Sequence, residues 1–97
     1  MKTKFNFTTG AQPGEDCALS DLAPGQSGQV LEVDTSVAAG RRLLDLGFLP
    51  STTLHVLRRA PLRDPVVYEL RGYRVCLRRA DAARVRVRVQ LADEDDA

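Results

Sequence analysis

The run RVRVRV, Arg84 to Val89, alternates arginine and valine without a break. In an extended chain successive side chains point to opposite faces, so three valines go to one side and three arginines to the other. A helix would scatter both sets around its circumference, so the run reads as a half-buried strand with a dry face and a wet one. The rest of the chain must supply a sheet for that strand to join.

Several segments do so. TTLHVLRR places Leu54 and Val56 together, VVYELR places Val66, Tyr68 and Leu70 together, and YRVCLRR does the same with Val75 and Leu77. GQVLEVD adds a strand with Val30 and Val33 as core contacts. Arg71-Gly72 is a two-residue connection of hairpin type, because Gly can supply a positive φ. The segment TSVAAGRRLLDLGF reads as a helix. Ser36 is placed to cap its first turn, Ala39, Leu43 and Leu46 share a face, Gly47 stands at the stop and Pro50 prevents resumption. Leu19 and Leu22 are placed to plug the core ahead of a Pro24-Gly25 turn, and ADAA gives one turn before the last strand. Five short strands and one helix predict a mostly β domain, a small closed or half-closed barrel with the helix packed on it.

Composition divides the chain in three. Residues 1–16 hold only Phe5 and Phe7 to bury and read as a flexible N-terminal arm, residues 17–90 as the folding unit, and residues 91–97, LADEDDA, as an acidic tail. The formal charge of +1 hides an asymmetry: residues 17–90 carry 12 arginines against 7 carboxylates, while the tail carries 4 carboxylates. So small a unit has no room for a large substrate cavity, which argues against an enzyme. Cys17 and Cys76 form no C-x-x-C pair, so no zinc ribbon or redox motif is spelled. No segment has the length of a signal peptide's apolar run or of a membrane span, and a cytoplasmic protein without membrane insertion is expected.

No catalytic constellation emerges. His55 is a lone histidine inside a strand, Cys76 sits between Val75 and Leu77, and Asp45, Asp64 and Asp81 fall at a helix end, a turn and a cap position. No metal ligand set is spelled. Arg84, Arg86 and Arg88 offer a basic stripe that could meet phosphates, though nucleic-acid binders usually add aromatics for stacking, and only Tyr68 and Tyr73 are at hand. The bland alternative is a solvated strand face with cross-strand partners such as Glu32 or Glu69. The apolar loops carry more information. LGFLP exposes Leu49 and Phe48 near the barrel rim, and APLRDP holds Leu62 between two prolines in a stiff loop that would lose little entropy on docking.

Taken in order, LSDLAPGQSGQV, RRLLDLGFLP and APLRDPVVYELRGYRVCLRRADAARVRV resemble the FeoA family, the small cytosolic component of bacterial ferrous iron transport. The resemblance runs from about Leu19 to Val89 and implies an SH3-like barrel. Ser51 and Arg63 stand where the family usually has Gly, and a side chain makes a positive φ costlier by roughly 1 kcal/mol, so altered loop shapes are expected there. The resemblance further implies a non-catalytic protein that binds and regulates the membrane transporter FeoB, whose cytosolic part carries a GTP-binding domain. Contact candidates are Leu46, Gly47, Phe48, Leu62, Asp64 and Pro65, with Arg84, Arg86 and Arg88 as a secondary basic surface. No cofactor is expected, and an Fe²⁺ association is implied by the family alone. Self-association through the apolar rim stays open. The alternative is a free-standing nucleic-acid-binding or metal-regulatory SH3-like module.

Overall fold

The alternating valines lie inside the sheet. In the computed structural model, which describes residues 13–90, the RVRVRV run forms β6, Val85–Gln90. It pairs on one side with β1, Asp16–Ala18, and on the other with β2, Ser27–Val33. Beyond β2 follow β3, Thr53–Arg59, then β4, Val66–Leu70, and β5, Tyr73–Leu77, giving the order β1-β6-β2-β3-β4-β5. All five pairings are antiparallel. Register shifts between Val30 and Glu32 and between Val56 and Arg58 mark bulges, which raise the local twist and help the sheet curl around its apolar face. Helix α1 spans Ala38–Asp45, helix α2 spans Arg79–Ala82, and a 3₁₀ turn, Leu19–Asp21, follows β1.

The core is the one that the alternation predicts. Val85 and Val87 have no exposed surface, Val30, Val56, Tyr68 and Leu70 have about 1%, and Leu19 and Leu22 close the barrel end. No polar or charged residue is buried among the described residues. The sheet has six strands where five were expected: β1 is only three residues long, too short to show a period. Its presence also shortens the expected arm, because Asp16 is a strand residue and the Gly14 amide donates to the Val89 carbonyl. Residues 1–12 and the tail 91–97 lie outside the described residues.

Ser36 does not cap α1. Its hydroxyl and amide both donate to Asp34 Oδ1, at 2.6 and 3.0 Å, so the side chain is occupied in the preceding turn and the helix starts after Val37. Gly40 explains why a glycine is tolerated inside so short a helix. It is buried, and a Cβ built there would overlap the backbone carbonyl of Asp34. In an ordinary exposed helix Gly→Ala gains up to about 1 kcal/mol. Here we expect Gly40→Ala to lower stability by about 1–3 kcal/mol, as overpacking does, measured by urea unfolding. A stabilised variant would mean that the Asp34 loop yields freely.

Candidate functional site

The six contact candidates fall into two groups. The first follows α1. Gly47 has φ +111°, its amide donates to the Leu44 carbonyl, and the Phe48 amide donates to the Leu43 carbonyl. These two bonds are a Schellman motif, which turns the chain back and presses the next apolar residue onto the helix's last turn. Phe48 is accordingly fully buried beside Leu43, so its expected exposure at the rim is corrected. Leu46 is half-buried against the core, and Gly47 lies beneath the β4–β5 hairpin, where a Cβ would come within 3.0 Å of Tyr73 Oη. Leu49 and Tyr73 are the large apolar side chains this end shows to solvent, each 41% exposed. The Thr52 amide closes a turn onto the Leu49 carbonyl through Pro50 and Ser51, whose φ of 75° fits a type II turn.

The second group belongs to the loop 60–65. The Arg63 amide donates to the Ala60 carbonyl and the Ala60 amide to the Pro65 carbonyl, closing the loop at its neck. Arg63 takes φ 68°, so both positions expected to strain as non-glycines keep their positive-φ turns. Asp64 Oδ1 accepts the amide of Arg79 at 2.8 Å, which supplies α2 with a cap from outside its own segment. Leu62 stands at the loop tip, 88% exposed, and Pro65 is exposed beside it. This loop enters β4 at Val66, whereas Gly47 approaches Leu70 and the hairpin at the other end. The structure therefore separates the two groups by the length of β4, roughly 13 Å.

Two of the three stripe arginines have carboxylate partners, while Arg86 is exposed and forms no ion pair among the described residues. The guanidinium of Arg88 donates to both carboxylate oxygens of Asp16, at 2.8 and 3.2 Å, and Arg84 pairs with Asp34 at 3.6 Å. The bond from Arg88 holds the Asp16 carboxyl below the ordinary carboxylate range, while the Ser36 hydroxyl, then its amide, and more weakly Arg84 do the same for Asp34. Tyr68 is no stacking platform: it is buried, and burial pushes its phenol up to about 12. Burial also pushes the Cys17 thiol up, with help from Asp21 and Glu15. His55 Nδ1 is occupied by Ser27 Oγ at 2.7 Å. Among the described residues no three His, Cys, Asp or Glu side chains are grouped to hold a metal ion, and no helix is long and apolar enough to cross a membrane.

The chain matches the FeoA domain family over residues 17–89. It is 41% identical over 69 residues to an Fe(2+) transport protein A/Fe(2+) transporter FeoB fusion protein of Porphyromonas gingivalis, covering 71% of this chain and 8% of that relative's length. The NMR structure of a FeoA-like protein from Clostridium acetobutylicum superposes with a TM-score of 0.75 at 26% identity, over 79% of this chain and 90% of the other. Stenotrophomonas maltophilia FeoA, solved in complex with zinc and described as a prokaryotic SH3 domain protein, gives 0.66 at 30% identity, over 72% and 87%. The six-stranded antiparallel sheet with its short helices is thus an SH3-like fold.

Two expectations follow from this geometry. Phe48→Ala should cost about 3–5 kcal/mol, whereas Leu62→Asp should stay within about 0.5 kcal/mol of the parent in urea unfolding. The Asp16–Arg88 pair contributes stability that is complete above the unfolded carboxyl pKa, about 3.9, and is lost as pH falls through the lower folded value. Asp16→Asn should therefore be less stable than the parent at neutral pH, with the difference vanishing in acid below about pH 4, followed by parallel unfolding curves.

Proposed function

Because the chain belongs to the FeoA domain family, we propose that it is a cytoplasmic accessory protein of bacterial ferrous iron uptake that binds and regulates the membrane transporter FeoB. The family is a non-enzymatic accessory domain. The observation that carries the reading is the relative in which a stretch 41% identical to this chain shares one polypeptide with FeoB. Joining two units in one chain raises their effective concentration for each other, an arrangement of use where they must meet. Iron is the cargo of that transporter in this reading.

The contact falls on the loop 60–65. Leu62 presents an apolar side chain on a closed backbone, so docking removes apolar surface from water while ordering little that was free. Asp64 and Pro65 shape the loop, while Gly47 supports the opposite rim beneath Tyr73 and Leu46 packs against the core there. Phe48 acts through the core alone. Regulation requires that the protein bind two nucleotide states of FeoB with different affinities. The arginine stripe favours the accessory reading over a nucleic-acid module, since Arg84 and Arg88 already have carboxylate partners.

The test is titration of the full chain against the purified cytosolic part of FeoB, loaded with GDP or with a non-hydrolysable GTP analogue. Saturable binding is expected to weaken about tenfold or more in Leu62→Asp, a loss of about 1.4 kcal/mol. Equal affinity for both nucleotide states would remove the regulatory part, and absence of binding would remove the whole. In cells lacking the protein, uptake of labelled ferrous iron should fall, return with the parent chain and fail with Leu62→Asp.

A further inference from the structure

The two edges of the sheet differ. At one edge β1 is three residues long, and the Ala18 amide is taken by Asp21 Oδ2. At the other, β5 is five residues long and, among the described residues, pairs with β4 alone. Its hairpin fixes which backbone groups are used. Arg71 and Gly72 have φ 51° and 86°, the signature of a two-residue type I′ turn, and Leu70 and Tyr73 flank it. In that turn the flanking residues form a hydrogen-bonded pair, so Tyr73, Val75 and Leu77 bond back to β4. The amides and carbonyls of Arg74 and Cys76 then point away from the sheet, and none of them finds a backbone partner among the described residues.

The side chains on this edge have a definite chemistry. Arg74, Cys76 and Arg78 are exposed on one face, and Arg58 joins them across the register through Val67. Unlike Arg84 and Arg88, these three arginines form no ion pair among the described residues, although Glu69 stands opposite Arg74. On the other face, Tyr73 is 41% exposed and Val75 is half-buried.

We propose that β5 is a docking edge for an extended acidic segment of another protein, which adds a seventh strand to the sheet. Main-chain bonds to Arg74 and Cys76 would supply affinity, and alternate side chains would supply selection. A strand laid on this edge places acidic residues beside Arg74 and Arg78 and an apolar residue beside Val75. A second copy of this chain is disfavoured as the occupant, because edge-to-edge pairing would set arginine against arginine. This site is separate from the tip of the loop 60–65 and stands whether or not FeoB is the partner.

The test uses the full chain, labelled with ¹⁵N, and a seven-residue probe peptide with glutamate at its second and sixth positions, valine at its third and fifth, and threonine elsewhere. Saturable shifts centred on Arg74 and Cys76, with slowed hydrogen exchange of their amides, are expected. A probe N-methylated at alternate amides keeps the charge but loses pairing, and should bind at least about tenfold more weakly. The double variant R74E/R78E should lose a similar factor, and R86E, on β6, should not. Variants are compared only if their spectra keep the parent's dispersion. Equal binding of the methylated probe, shifts centred on β6, or an oligothymidine that displaces the peptide from β5 would each overturn the proposal. So would concentration-dependent β5 shifts without peptide, since they would make a second copy the occupant.

Discussion

Val85, Val87 and Val89 reach the core from a strand bonded on both sides, to β1 near the beginning of the described chain and to β2 in its first half. Each buried valine contributes about 1.5–3 kcal/mol relative to exposure, but only if the strand is held in register, since a slip of one residue would turn arginines inward. Double pairing provides that hold. The Arg88 guanidinium on Asp16 adds an exposed tie in the same register, across 72 residues of sequence. Remove β6 and β1 has no partner, while Leu19 and Leu22 lose the valines they cover.

An apolar core of this kind can support strained turns at its rims. Ser51, Arg63 and Arg71 all adopt positive φ, where a side chain costs roughly 1 kcal/mol or more at each position. No buried polar or charged residue among those described draws on the same margin. The turns at Arg63 and Arg71 bound β4 and β5, and so fix the loop 60–65 at one end of the hairpin and Tyr73 at the other. All three non-glycine strains thus lie within two residues of an exposed apolar side chain, Ser51 near Leu49, Arg63 beside Leu62 and Arg71 near Tyr73, which is where shape matters for a partner.

Period-two segments were readable because their signal is local. Val66, Tyr68 and Leu70, the Arg71-Gly72 turn and the RVRVRV strand each declare themselves within a few residues. Three features did not. The sequence DCA is too short to show a period, so β1 exists only because β6 offers it an edge. Phe48 reads as a rim residue unless Gly47 is taken as the αL residue of a Schellman motif, in which case Leu43, five residues back, is its contact. Gly47 at the helix stop is that signal, and it reaches Phe48 only when the residue after the glycine is read as folding back. The partners of Arg84 and Arg88 were beyond local reading, since Asp34 and Asp16 lie far away along the chain.

The distribution of arginines therefore has a meaning that composition conceals. Arg88 on β6 and Arg84 just before it face the carboxylates of Asp16 and Asp34; Arg74 on β5 and Arg78 just after it face solvent without an ion pair among the described residues. The loop 60–65 and the β5 edge meet at one corner. Asp64, which shapes the loop carrying Leu62, spends its carboxylate on the amide of Arg79, the residue directly after Arg78. A single hydrogen bond thus couples the position of an exposed leucine to the end of the basic edge strand β5. Because that bond also caps α2, whose Ala82 is fully buried, loop and edge are fixed to the core as one body rather than as two independent loops. A partner engaging Leu62 meets a surface whose charge and backbone pattern are already set beside it.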